Sequence, residues 1–163
     1  MKKVLVGLFT ACLLTACFPN TRYVDYHHTA VSGWEKDSVL VFHVPPLDEG
    51  GPYVEEIGLR TESSYPFLHL SLVVEQQVVS HGSAAKGQPS RKEKHIVDTL
   101  DLPIYEEDGS PVGRGLSVYR QELPFRFLNL QPGDSMVVKI HHNMRRRLLP
   151  GVSEVGIHLL KRD

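Results

Sequence analysis

The chain has 163 residues, with 18 Lys and Arg against 19 Asp and Glu and a formal net charge of −1. That balance lacks the clustered basic face needed to grip phosphates, so no nucleic-acid partner is expected. Two cysteines are too few for a disulfide framework, and the fold must rest on core burial.

The N-terminus carries the strongest signal. Met1, Lys2 and Lys3 are a short basic start, residues 4–14 are apolar and uncharged, and Leu14, Thr15, Ala16 and Cys17 follow. A basic start, an apolar stretch of about 7–15 residues and a small-residue cleavage site mark a secretory signal peptide. The stretch is well short of the ~20 residues that a spanning helix needs. Leu14 three positions before Cys17, with two small residues between, resembles the lipobox of bacterial lipoproteins. That resemblance implies a diacylglyceryl group on the Cys17 thiol and cleavage before it. Cys12 is a poorer site, with Phe9 at the corresponding position and a shorter apolar run. A single acyl chain anchors only marginally at ~0.8 kcal/mol per buried CH₂, whereas the two or three chains of a lipoprotein hold. The expected organisation is a signal peptide at 1–16, a lipidated tether at 17–21 and one domain at 22–163. Losing Lys2 and Lys3 leaves 16 basic against 19 acidic residues, a charge of about −3. The roughly 145 remaining residues suffice for one cored domain.

From the tether onward the period is two. Strands are expected over residues 22–28, then 39–44, which is apolar on both faces and so reads as central or doubly covered. Another is expected at 53–61. In 67–74, Leu68, Leu70, Leu72 and Val74 share one face, with His69 and Ser71 on the other. Residues 80–94 are polar and read as a long exposed loop, followed by strands at 95–100 and 124–130. Pro132 and Gly133 predict a type II turn. Met136, Val138 and Ile140 then alternate with Lys139 and His141; residues 143–149 read as one helical turn. Val155, Ile157 and Leu159 alternate with Gly156 and His158. Such alternation suits strands with one buried and one wet face. Short strands, turn signals and no long amphipathic helix predict an all-β antiparallel β-sandwich, jelly-roll-like.

Candidate chemistry is sparse. His27-His28 and His141-His142 are adjacent pairs, which on a strand face opposite sides and cannot share an ion. No His-x-His or zinc-like spacing occurs, so no metal or other cofactor is expected, although histidines of different strands could still meet. No Gly-x-Ser-x-Gly elbow or paired carboxylates point to a catalytic residue, and no enzyme is expected. Glu106, Glu107 and Asp108 read as a solvated hairpin tip. Gly113-Arg114-Gly115 lacks the strand-to-helix transition of a phosphate loop. Arg145, Arg146 and Arg147 form either a solvated turn or a contact for anionic lipid or a partner. Trp34 reads as core. Trp34, Tyr23, Tyr26, Tyr53 and Tyr65 leave a second reading open, a carbohydrate-binding module, should they line an exposed face.

In order and spacing, several local patterns resemble the GldH-type gliding-motility lipoproteins. They are Trp34 before the first strong strand, Leu59-Arg60 leading to Tyr65-Pro66, Asp98-Thr99-Leu100 with Leu102-Pro103, Gly109, Gly113-Arg114-Gly115, Met144-Arg145, and Gly151-Val152 with Val155-Gly156-Ile157. The resemblance runs from about Asp25 to the C-terminus. It implies a non-enzymatic β-sandwich in the cell envelope, acting with other gliding proteins beside the type IX secretion machinery. Cys17 is the one functional position that it carries over. The segment 80–94 is longer and more basic than the family pattern. No Asp follows Cys17 to favour inner-membrane retention, and no acidic run resembles a surface-export signal. The expected location is the outer membrane, lipid-anchored and facing the periplasm.

Overall fold

The computed structural model describes residues 20–81 and 91–162, so the signal peptide and Cys17 lie outside the described residues. Within them the chain forms ten strands and no helix. These are β1 (Thr21–His28), β2 (Trp34–Glu35), β3 (Leu40–Val44), β4 (Gly51–Glu62), β5 (His69–His81), β6 (Arg91–Pro103), β7 (Val118–Leu130), β8 (Ser135–His142), β9 (Leu148–Leu149) and β10 (Val152–Lys161). One four-stranded sheet has the order β1-β10-β4-β7, the other β3-β8-β5-β6, and β2 and β9 form a two-stranded ribbon. All pairings are antiparallel.

The order follows from one folding-over. Among the eight long strands, the first pairs with the last, β3 with β8, β4 with β7 and β5 with β6. A long hairpin of such pairs curled onto itself is a jelly roll. Alternation then sends one set of side chains inward from each sheet. Phe42, Leu70, Leu72, Val74, Val138 and Ile140 meet Tyr53, Ile57, Leu59, Val155, Ile157 and Leu159 in a single core. Each fully buried aliphatic side chain of this kind contributes about 1.5–3 kcal/mol. The turn at Gln131 has the expected form: Gly133 sits at φ 85°, and Asp134 N donates to Gln131 O at 3.1 Å.

Three local expectations are corrected. Residues 39–44 do not form a central strand. β3 is the margin of its sheet; Leu40, Phe42 and Val44 are buried, while His43 and Val39 are exposed. The second strand of a folded hairpin lands at an edge whatever its composition. Residues 143–149 are not a helical turn. Their backbone groups bond elsewhere: Asn143 N to Ser71 O, Arg147 O from Lys36 N, and Leu149 pairs with Trp34 in β9. Finally, the expected loop at 80–94 is partly strand, since β5 runs to His81 and β6 starts at Arg91. Polar side chains on a wet sheet margin mimic loop composition.

Candidate functional site

Cys17 lies outside the described residues, but the end of the sandwich joined to it is well fixed. Lys161 N donates to Asn20 O at 2.7 Å. The Glu49 carboxylate, in the connection before β4, pairs with Arg22 of β1 at 3.2 Å and with Lys161 of β10. The Lys161 hydrogen bond, reinforced by both cations, holds the Glu49 carboxyl below its ordinary range. Leu47 is tied to the Gln131 turn through Leu47 N to Asp134 O and Gly133 N to Leu47 O.

The outward face of the β1-β10-β4-β7 sheet carries a polar cluster of Tyr26, Glu56, Arg60, Arg120, Glu122, Glu154 and His158. Register sets it: His158 of β10 lies opposite Glu56 of β4, and Glu122 of β7 lies opposite Gly58. Tyr26 reaches across from β1 because Gly156 and Gly58, its neighbours on β10 and β4, leave a slot. A Cβ there would come within 2.6 Å and 2.2 Å of the tyrosine side chain. The Tyr26 hydroxyl bonds His158 Nε2 at 2.9 Å, and Arg60 covers its ring at 5.0 Å. Arg120 donates to Glu122 Oε1 through Nε at 3.0 Å and Nη2 at 2.6 Å. Glu154 pairs with Arg60 at 2.5 Å and His28 at 3.2 Å. Burial pushes the His158 imidazole below its ordinary range. It raises Glu56, helped by the nearby Glu122 charge. Ligand atoms of Glu56, Glu122 and His158 all lie within 4.8 Å of one another. Next to them Val54, Pro124, Phe127 and Leu160 line an open groove of about 580 Å³, with the Phe127 ring 70% exposed.

A second polar group lies between the sheets. Glu55 is inward on β4 and Gln76 inward on β5, at 1% and 2% exposure. Gln76 Nε2 donates to Glu55 Oε1 at 2.7 Å; Glu55 Oε2 and Gln76 Oε1 have no other partner. Burial pushes the Glu55 carboxyl up to about 7. Nearby, Arg126 of β7 holds Asp98 of β6 through two charge-assisted bonds, one at 2.7 Å. This clamp joins the margins of the two sheets.

Other candidates fall as follows. Trp34, Tyr53 and Tyr65 are core, and Trp34 is read correctly as such. Tyr23 and Tyr26 are half-buried, so Phe127 is the one exposed Phe, Tyr or Trp ring among the described residues rather than part of a stacking row. The adjacent histidines do face opposite ways: His27 packs on Phe42 at 4.4 Å, while His28 turns outward to Glu154. Glu106, Glu107 and Asp108 are exposed on a turn closed by Gly109 N to Glu106 O. Ser110 bonds hold the Asp108 carboxyl low. Arg145, Arg146 and Arg147 are exposed in the connection before β9. Sequence reasoning missed Glu55 and Gln76, whose signal was a polar residue in the apolar phase of a strand. It also missed Glu56, Glu122 and His158, which only register brings together.

The family model described as GldH lipoprotein matches residues 21–159. The chain is 28% identical to "Gliding motility lipoprotein GldH" of Flavobacterium johnsoniae, over 96% of this chain and 94% of the relative. It is 24% identical to "Gliding motility lipoprotein GldH homolog" of Christiangramia forsetii, over 98% and 96%. Among solved structures, one of infectious bursal disease virus Gx strain aligns over 90% of this chain and 41% of its own at 10% identity, with a TM-score of 0.13 that says nothing of the fold.

Proposed function

The chain belongs to the GldH lipoprotein family, and on that premise we propose that it is a non-enzymatic, lipid-anchored part of the gliding apparatus, held on the periplasmic face of the outer membrane by Cys17. The observation that carries this reading is a match running through every strand of the sandwich, with relatives named for gliding motility aligned almost end to end.

Chain geometry supports an oriented role. Two residues separate Cys17 from Asn20, a reach of at most about 11 Å. A lipid on Cys17 therefore keeps the Asn20 end of the sandwich close to the headgroups. Confinement to a surface raises the effective concentration of the domain for partners in that layer. The outward face of the first sheet and the far end, with its exposed arginines, stay open to other envelope proteins.

Deleting the gene is expected to abolish colony spreading, with protein secretion scored beside it. Complementation by Cys17→Ala is expected to fail while unprocessed precursor accumulates. Normal spreading and secretion after deletion would remove the motility reading. Separately, protease shaving of intact cells tests the location: loss of the protein before lysis puts it on the cell surface.

A further inference from the structure

We propose that Glu56, Glu122 and His158 form a binding site for one divalent cation of the Zn²⁺ type on the outward face of the β1-β10-β4-β7 sheet. The three residues come from three adjacent strands, β4, β7 and β10, so a rigid sheet sets their spacing. Their ligand atoms lie within 4.8 Å of one another. Around a tetrahedral zinc with ligands at 2.0–2.2 Å those atoms stand roughly 3.4 Å apart. Small rotations of the two glutamate side chains close that difference.

The imidazole is built for the task. His158 is only 7% exposed, and its Nδ1 faces Glu56 Oε2 at 3.9 Å, too far for a hydrogen bond. The other ring nitrogen is held by the Tyr26 hydroxyl at 2.9 Å. With Nε2–H donating to that oxygen, Nδ1 is left with its lone pair on the side of the Glu56 carboxylate. A metal-binding histidine is usually oriented in this way by a partner on its second nitrogen. The slot left by Gly58 and Gly156 is what lets Tyr26 reach it.

The carboxylates remain available. Both Arg120 bonds to Glu122 end on Oε1, so the second oxygen is open. The Glu56 carboxylate makes no side-chain hydrogen bond and faces His158 Nδ1 and the Glu122 charge. One nitrogen and two oxygens suit a borderline cation; a hard cation such as Mg²⁺ prefers an all-oxygen shell. Three protein ligands leave a fourth position for water or for a group on a partner. The site does not depend on the proposed role in motility.

The test uses the full-length protein in detergent, stripped with EDTA and dialysed against ZnCl₂, with bound metal counted by atomic emission. One saturable Zn²⁺ per chain is expected, with no uptake from MgCl₂ at the same concentration. Glu56→Gln and His158→Gln are each expected to weaken zinc binding more than tenfold, and Tyr26→Phe by about tenfold. His69→Gln, on the other sheet, is expected to leave it unchanged. Zinc is also expected to raise the thermal midpoint of the native protein and not that of His158→Gln. Circular dichroism checks each fold, and Glu122→Gln replaces any variant that fails to fold. No saturable uptake, equal uptake of Mg²⁺, or full binding in folded Glu56→Gln and His158→Gln overturns the site.

Discussion

Glu55 is the residue whose chemistry is most at odds with its place. It sits in the apolar phase of β4 between Tyr53 and Ile57, at 1% exposure. Arg126 is close enough to favour its charge, and Asp98 opposes it, yet burial dominates and lifts the carboxyl to about 7. Gln76 supplies one donor to it. A protonated Glu55 presents a hydroxyl as well, matching the Gln76 Oε1 that otherwise lacks a partner. The unfolded chain releases this proton near 4.5 and the folded chain near 7. Stability from this group is therefore complete at low pH and is lost as pH rises through the folded value. The loss is on the order of 3 kcal/mol. His142 and His158, both depressed by burial, act oppositely, because unfolded imidazoles take protons that the folded ones refuse. Glu55→Gln keeps the shape and removes the charge. In urea unfolding it is expected to match the native protein at pH 5 and to exceed it by about 1–3 kcal/mol at pH 8. Equal destabilisation at both pH values would mean that the native carboxyl is held ionised.

At the scale of elements, the two-residue ribbon matters more than its length suggests. Trp34 of β2 is 1% exposed. Its Nε1–H donates to Ser38 O at 3.0 Å, its carbonyl bonds the buried His142 ring at 3.1 Å, and that ring packs edge-on against the indole at 5.3 Å. β2 and β9 thus close the end of the sandwich away from Asn20. Trp34→Ala is expected to cost ~3–5 kcal/mol in urea unfolding, and Trp34→Phe distinctly less. A cost below ~1 kcal/mol for the alanine variant would make the ribbon an ornament rather than part of the cooperative unit. The same ribbon marks where sequence reading stops. Alternation made Leu70, Leu72 and Val74, Met136 to Ile140 and Val155 to Leu159 legible, because period two is a local property. Gly133 was legible because a turn needs positive φ. Leu149 was not: Arg145 to Leu149 are locally good helix formers, and only pairing with Trp34, far away in sequence, makes an extended conformation better. The edge position of β3 and the meeting of Glu56, Glu122 and His158 are equally non-local, since both depend on how the paired strands curl.

On the scale of the whole molecule, the jelly roll has two ends, and the chain assigns them. β1 starts at Thr21, four positions after Cys17, and carries the chain about 23 Å to His28. The Gln131 turn lies with Thr21, as does the start of β4. The ribbon and the connection holding Arg145, Arg146 and Arg147 lie at the other end, near the start of β10. With the sandwich standing upright on a Cys17 lipid, the arginine run would be more than two Debye lengths from its own membrane at physiological salt, where that length is ≈ 8 Å. Of the two readings left open for this run, contact with the anchoring bilayer becomes the weaker; a solvated turn or a partner remains. Trypsin can measure the orientation. With acylated protein in anionic vesicles, cleavage at Arg145, Arg146 and Arg147 is expected to keep its rate in detergent, whereas cleavage at Arg162, beside Asn20, is expected to slow several-fold. The reverse pattern would mean that the sandwich lies with its ribbon on the lipid, and that the short tether does not govern how the domain meets its partners.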